Sequence, residues 1–290
     1  MTADVRGLLR YDGQLTDPGA TPGVNGKSGA AKAAARDAAR LAELQEKLFA
    51  NGKLGDRRRL VLVLQGLDAS GKDGVVKHVV GQVNPAGCRI TSFGPPTAEE
   101  LQHDFLWRIA RALPTPGQLG VLNRSHYEDV LVARVHDLVP RAVWSRRFGR
   151  INTFEKKLAA SGCTVLKVFL HVSPEEQRKR LLARLDDKTK HWKIGVRDIG
   201  ERSHWDDYQA AYLDVLSKTS TDVAPWYVIP ADHKWYRNWA VGRLLTSELE
   251  ALGLTWPTPA GIDIKAMRKD LLRSSATTTG ASGSRAETSR

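Results

Sequence analysis

Cysteine is nearly absent from this chain: two in 290 residues, Cys88 and Cys163, far apart and in no CxxC or Cys/His cluster. Two thiols allow at most one bridge, so no disulfide framework is implied and a reducing compartment is expected. Both cysteines lie beside or in β-rich runs, where small buried apolar residues are expected. Long apolar runs are also missing, and the N-terminus lacks the apolar core of a secretory signal, so the expectation is a cytoplasmic protein without a membrane partner. None of the eight histidines pairs with a carboxylate or cysteine at metal-ligand spacing; His78, His103 and His171 are read as structural. No internal repeat is visible.

Positive charge is plentiful. Lysine and arginine number 44 against 32 acidic residues, a net charge of +12. Such an excess favours a polyanionic partner: nucleic acid, an acidic membrane surface or a condensed phosphate. With 41% hydrophobic and 26% charged residues, the length suits one globular domain with tails. Residues 1–30 are rich in Gly, Pro, Asp and Thr and are expected to be flexible, without regular structure. From 31 to 49, Leu41, Leu44 and Leu48 recur at helical spacing, an amphipathic helix ended by Asn51, Gly52 and Gly55. One folded domain is expected over 31–255, and a C-terminal extension over 256–290 whose Ser/Thr/Ala/Gly tail, from Ser274, is expected to be disordered.

Between these ends, strands are predicted over 60–65, 88–92, 119–123, 164–171 and 226–229. Helices are predicted over 74–83, 97–112, 141–160, 174–185, 203–217 and 234–250. Alternation of this kind defines an α/β fold with a central parallel sheet of about five strands and helices on both faces. Ligands of such sheets bind at the carboxyl ends of strands. That rule gathers the loop after the first strand, Asn123-Arg124-Ser125 after the third and Ser173-Pro174 after the fourth.

The first of these loops reads Gly66-Leu-Asp68-Ala69-Ser70-Gly71-Lys72-Asp73-Gly74. The spacing G-x4-G-K between an apolar strand and a helix is that of a P-loop, whose backbone N–H groups, helix N-terminus and lysine wrap an anion. Asp73 stands where a Mg²⁺-binding Ser/Thr is usual, so the metal must be held differently. Asp68, a carboxylate inside a phosphate cradle, is a candidate Mg²⁺ ligand or an orienting group; capping of loop N–H groups is the bland alternative. After the third strand, Arg124 can neutralise phosphate charge. Asn123 replaces the acid common in nucleotide kinases, and Glu128 and Asp129 either compensate for it or merely suit a helix dipole.

Arg178, Arg180, Arg184, Lys188, Lys190, Lys193 and Arg197, with Trp192 among them, form a basic stretch after the fourth strand. That is where P-loop kinases carry a mobile helical lid, here about 184–218. Stacking of single-stranded nucleic acid is the rival reading of basic residues with interleaved Trp. Arg141, Arg146, Arg147 and Arg150 extend the anion track or form a solvated helix face.

Together these segments resemble the type-2 polyphosphate kinase family. The likeness rests on Gly66–Gly74, Val83-Asn84-Pro85, Gly87-Cys88-Arg89, Glu99-Glu100-Leu101 and His103–Trp107. It continues through Asn123–Val135, Arg184–Lys193, Trp205–Tyr208, Ala224–Asp232 and Lys234-Trp235-Tyr236. The resemblance implies a P-loop kinase-like three-layer fold with a helical lid. It implies reversible Mg²⁺-dependent transfer (Mn²⁺ as substitute) of a terminal phosphoryl group from inorganic polyphosphate to nucleoside mono- or diphosphates. Asp68, Lys72, Arg124 and Arg184 match family positions tied to metal, phosphate or lid function, and Asn123 with Glu128 resembles the subclass accepting both AMP and ADP. Lys188 stands where the family often has proline after Asp187.

On this basis the donor phosphates are expected on Gly66, Ala69, Ser70, Gly71, Lys72, Asp73, Gly74, Lys77, Lys188 and Lys193, with Arg184 and Lys193 closing from the lid. The nucleotide side is expected on Asn123, Arg124, Glu128 and Asp129, and the metal on Asp68 with Glu128 second. Partners are polyphosphate, AMP, ADP and ATP, then GMP and GDP, and a second copy in a homo-oligomer, dimer or tetramer. Rival readings are an ATP-dependent nucleoside monophosphate kinase and a nucleic-acid-binding P-loop protein.

Overall fold

The computed structural model describes residues 4–193 and 195–278. It falls into two units, up to Thr255 and from Trp256. The first holds a five-stranded, all-parallel sheet: β1 (Arg59–Gln65), β2 (Cys88–Ser92), β3 (Leu119–Asn123), β4 (Cys163–His171) and β5 (Trp226–Pro230). Their spatial order is β2-β3-β1-β4-β5, so β1 is central and the strand order reverses beside it.

The apolar run of β1 serves two cores at once. Leu60, Leu62 and Leu64 enter one cluster, Val61 and Val63 the other, because successive side chains of a strand leave on opposite faces. β5 repeats the division, with Tyr227 and Ile229 on the first face and Trp226 and Val228 on the second. On the first face pack α2 (Gly26–Lys53), α3 (Lys72–His78) and α10 (Lys234–Ala251); on the second lie α4 (Trp107–Ala112), α6 (Arg141–Ala160) and α9 (Trp205–Thr219). The three-layer α/β architecture expected from alternation is present. α2 approaches the loop before β3 so closely that a Cβ on Gly52 would lie 2.4 Å from the backbone of Gly117, which requires glycine there.

Local expectations needed correction in five places. Residues 1–30 were expected to lack regular structure; instead α1 (Val5–Leu9) buries Val5 and Leu9, and α2 begins at Gly26. Arg10 forms an antiparallel bridge with Tyr227, Tyr11 N–H donates to the Trp226 carbonyl, and Asp232 N–H donates to the Pro18 carbonyl. The edge of β5 offers unpaired backbone groups, and this segment satisfies them. The helix over 97–112 is broken into a single turn at Glu100–Gln102 and α4. Thr97 and Glu100 cap each other's backbone N–H, then Asp104 starts a new turn by accepting from Leu106 N–H at 3.1 Å. The helix over 74–83 starts two residues earlier and gives way to a tighter turn at Val80–Gln82. In the second unit, α11 (Ile264–Thr278) continues through Ser274, where the tail was expected to begin; 279–290 lie outside the described residues. The short α5 (Val132–Val135) was not foreseen.

After β4, α7 (Pro174–Leu185) is capped by Ser173, whose hydroxyl accepts from Glu176 N–H, with Pro174 at its first position. The segment expected to form the lid follows as a tight turn over Lys188–Lys193, then α8 (Val196–Gly200), and returns through α9. Among the described residues no helix is long and apolar enough to cross a membrane.

Candidate active site

The phosphate loop and Asn123-Arg124 meet in one open cavity of about 700 Å³; Ser173-Pro174 is outside its wall, which is reached instead by α7, the helix that these two residues open. Its walls are the phosphate loop and α3, the ends of β2 and β3, α7, the lid and the first turn of α10. Nine lysines and arginines line it against four carboxylates. Such an excess at one concave surface concentrates field and calls for a ligand with several negative charges.

The loop is held in a backbone that few residues adopt. Gly66 (φ 149°) and Gly71 (φ 110°) suit glycine, while Ala69 (φ 61°) and Arg124 (φ 62°) are left-handed without that freedom. Each non-glycine case costs about 1–2 kcal/mol, so the surroundings must enforce it. Lys72 is buried, and its ammonium donates to the carbonyls of Gly66 (2.6 Å) and Leu67 (3.2 Å), folded back on its own loop. Burial pushes its pKa down, with Arg124 adding to the fall and Asp68, Glu128 and Asp73 opposing it.

Arg124 Nη2 meets Asp68 Oδ1 at 2.8 Å. Burial opposes the charge on Asp68, but Lys72 and Arg124, with Arg184 further off, outweigh it and hold the carboxyl below its usual range. Asp73 receives Asn123 Nδ2 on one oxygen (3.1 Å) and Lys193 Nζ on the other (3.0 Å). The residue in the usual Ser/Thr position therefore ties the phosphate loop to the end of β3 and to the lid. Among the described residues Arg184 has a single hydrogen bond, a long one to the Lys193 carbonyl at 3.5 Å, and Lys193 Nζ lies 4.8 Å from the centre of the Trp192 ring.

The cavity brings together Asp68, Ala69, Gly71, Lys72, Asp73, Gly74, Asn123, Arg124, Arg184 and Lys193. Gly66 and Ser70 lie beneath it in the same loop. Lys77 and Lys188 are exposed and are not part of its wall. Glu128 is also outside the wall. Burial raises its pKa, while Arg124 and Lys72, close enough to matter, pull it down. Asp129 faces α6: Arg147 donates to its carbonyl at 2.7 Å, and Arg108 lies 3.7 Å from its carboxylate.

Sequence reasoning foresaw the helix over 234–250 but assigned none of its residues to the site. Lys234, Arg237 and Asn238 from its first turn line the cavity beside Lys179 and Arg180 of α7. Arg237 is buried against the loop, where a Cβ on Gly71 would fall 1.7 Å from its Nη1. The only signal was position: Arg237 directly follows Lys234-Trp235-Tyr236 at the end of the last strand.

A strand, a strained glycine loop with a buried lysine, and basic side chains from α7 and the segment after it around one cavity define a P-loop phosphotransferase. The family model described as polyphosphate kinase 2 (PPK2) matches residues 25–253, and the chain belongs to that family. The AMP/ADP-polyphosphate phosphotransferase of Meiothermus ruber is 47% identical over 251 residues, covering 86% of this chain and 92% of that protein. The ADP-polyphosphate phosphotransferase of Rhodopseudomonas palustris is 43% identical, covering 81% of this chain and 85% of that one. The crystal structure of polyphosphate kinase 2 from Arthrobacter aurescens TC1 superposes with a TM-score of 0.90 at 47% identity, over 94% of this chain and 98% of that one.

Proposed function

We propose that this protein transfers the terminal phosphoryl group of inorganic polyphosphate to AMP and to ADP. The observation that carries the reading is the cationic excess around a phosphate loop: nine basic side chains against four acidic ones suit a polymeric anion better than a single nucleotide. The names of the Meiothermus and Rhodopseudomonas relatives support the donor and both acceptors.

In this reading Lys72 leaves the carbonyls of Gly66 and Leu67 for the transferring group, and Arg124, now held by Asp68, helps to neutralise it. Arg184 and Lys193 close from the lid. The bond to the terminal phosphorus of polyphosphate breaks as a bond from an acceptor phosphate oxygen forms. That oxygen is already ionised at neutral pH, so no general base is required. Transfer between phosphoanhydrides is nearly balanced, which makes the reaction reversible.

Asp68 fits a Mg²⁺ ion, or Mn²⁺ in its place: its carboxylate stays ionised inside the phosphate cradle. Among the described residues no cluster of three or more metal-ligating side chains exists, so phosphate oxygens and water would complete the shell, as Mg²⁺ prefers. Bound there, the ion would offset charge on the phosphate oxygens. Glu128, outside the wall and costly to ionise, fits a bracing role behind Arg124 better than ligation. The proposal extends to GMP and GDP as acceptors, to a homo-oligomer and to a cytoplasmic location.

The test offers purified protein long-chain polyphosphate and Mg²⁺ with AMP or ADP separately. ADP from AMP and ATP from ADP support the full reading, and product from ADP alone limits it to one acceptor. Turnover of AMP with ATP but never with polyphosphate replaces it with an ordinary nucleotide kinase.

A further inference from the structure

Arg180 lies on the cavity wall and belongs to the basic stretch of α7, so it looks like one more phosphate ligand. Its hydrogen bonds say otherwise. An arginine side chain has five N–H donors. Nε donates to Glu176 Oε1 at 2.9 Å. Nη1 donates to the carbonyls of Ala69 and Ser70, each at 3.0 Å, and Nη2 to the carbonyls of Ala231 (2.6 Å) and Asp232 (2.8 Å). All five donors are engaged within the protein, and the side chain is only 7% exposed. A phosphate could gain a bond from Arg180 only by stripping one from a buried carbonyl.

We infer that Arg180 is a positioning residue that clamps the phosphate loop in its anion-binding backbone from behind. The inference rests on the phosphate-transfer reading of the loop. The peptide unit is planar and trans, so the carbonyl of one residue points away from the N–H of the next. Holding the Ser70 carbonyl, which Arg237 Nη1 also reaches at 3.3 Å, aims the Gly71 N–H in the opposite direction. Holding the Ala69 carbonyl fixes the residue whose left-handed backbone (φ 61°) has no glycine to excuse it. The other half of the guanidinium anchors this clamp to the loop after β5, a rigid strand end far away in sequence. Gln177, one turn earlier on α7, adds a bond from Nε2 to the Asp68 carbonyl at 3.0 Å. One face of α7 thus grips three consecutive loop carbonyls, of Asp68, Ala69 and Ser70.

The test combines steady-state transfer from polyphosphate to ADP with amide hydrogen exchange of the loop, using Arg180→Lys, Ala69→Gly and the double variant. Lysine keeps the charge and loses the fork, so a phosphate ligand would survive the change better than a clamp. For Arg180→Lys we expect kcat to fall ten- to a hundredfold with the polyphosphate KM within threefold. We expect the Ser70 amide, bonded to the Leu67 carbonyl at 3.1 Å, to exchange at least tenfold faster while β1 amides are unchanged. Ala69→Gly in that background relieves the strained position and recovers at least threefold in kcat. A raised KM with unchanged kcat and unchanged loop exchange overturns the inference and makes Arg180 a ligand; so does a double variant no better than Arg180→Lys. Should Arg180→Lys fail to fold, Glu176→Ala, which removes the brace on Nε and a 3.8 Å contact with the exposed Lys179, decides by exchange alone. Faster exchange at Ser70 supports the clamp, and wild-type exchange there overturns it. A wild-type protein that cannot use polyphosphate would sink the functional reading, whereas the exchange measurements still decide the role of Arg180.

Discussion

Two buried charge clusters flank the sheet, and they are built on opposite plans. On the α6/α9 face, Lys167 Nζ meets Glu155 Oε2 at 2.7 Å and also donates to the Thr219 carbonyl at 2.6 Å. Glu155 Oε1 accepts from Tyr127 OH at 2.7 Å and lies 3.2 Å from His126 Nε2. Lys167 and Glu155 are 0% and 1% exposed. Burial disfavours the Glu155 carboxylate, yet Lys167 and His126 outweigh it and hold its pKa below the usual range. Charge here is matched inside the protein. Behind the phosphate loop, Arg180 has Glu176, but Arg237 forms no ion pair with a carboxylate among the described residues. Burial and the neighbouring Arg180 lower its pKa to about 10. A balanced cluster organises a core; an unbalanced one beside a cavity holds charge ready for a ligand.

The sharpest way to break the balanced cluster is Glu155→Ala, which leaves the buried Lys167 charge without a carboxylate, its remaining bonds being to the Thr219 carbonyl and the Tyr127 hydroxyl. Uncompensated buried charge costs about 3–5 kcal/mol, so thermal unfolding should fall by roughly 10 °C. Replacing both partners, Glu155→Leu with Lys167→Met, should restore most of the loss. If Glu155→Ala melts with the wild type, the cluster contributes nothing.

At the loop, the next effect is on rate. Lys72→Ala should lower turnover on the order of 10³-fold, with a melting temperature close to that of the wild type. Wild-type turnover would remove Lys72 from the chemistry.

A third measurement reads the unbalanced charge directly. Tripolyphosphate at about a hundred times its Kd should stabilise the protein by about 2.7 kcal/mol in a melting scan, as ligand linkage requires. In Arg237→Met we expect less stabilisation at the same concentration and a higher melting temperature without ligand. Equal shifts in both proteins would mean that Arg237 is not part of the waiting charge.

The smallest effect concerns Glu128, whose pKa burial raises. A carboxyl raised on folding binds its proton more tightly in the native state. Its contribution to stability is therefore full below the ordinary carboxyl range and declines as pH rises through the folded value. Glu128→Gln should melt up to about 3 °C higher than the wild type at pH 7, with the gap closing on acidification. A gap that widens toward acid would reverse the sign of the assignment.

Much of this molecule was readable from local pattern. The five strands lie within a residue of their expected bounds: β1, β3, β4 and β5 are apolar runs buried on both faces, as parallel strands are, whereas the half-exposed edge strand β2 is marked by the β-branched Ile90 and Thr91. α6 and α7 match their expected spans, helped at α7 by the Ser173 cap and Pro174. Asp68, Lys72, Arg124, Arg184 and Lys193 converge because each sits at a strand end or in the lid that follows one. Long-range packing was not readable. The N-terminal segment reads as flexible from its Gly and Pro, yet the exposed edge of β5 gives it backbone partners. Asp129 sits one residue from Glu128 but turns to Arg147, since the tight turn at His126–Asp129 aims the two side chains differently.

The sequence by itself determined the layered sheet, the phosphate loop and its cationic surroundings, because strand periodicity, loop spacing and charge are properties of neighbouring residues. The tertiary structure decided which basic residues face the ligand and which hold the loop. Arg180 and Arg184 differ by one helical turn in sequence, and only the fold shows five backbone and carboxylate acceptors around the first and, among the described residues, a single long hydrogen bond at the second. Hydrogen-bond donors are allotted by what lies within about 3 Å in space, and that is set by the whole chain.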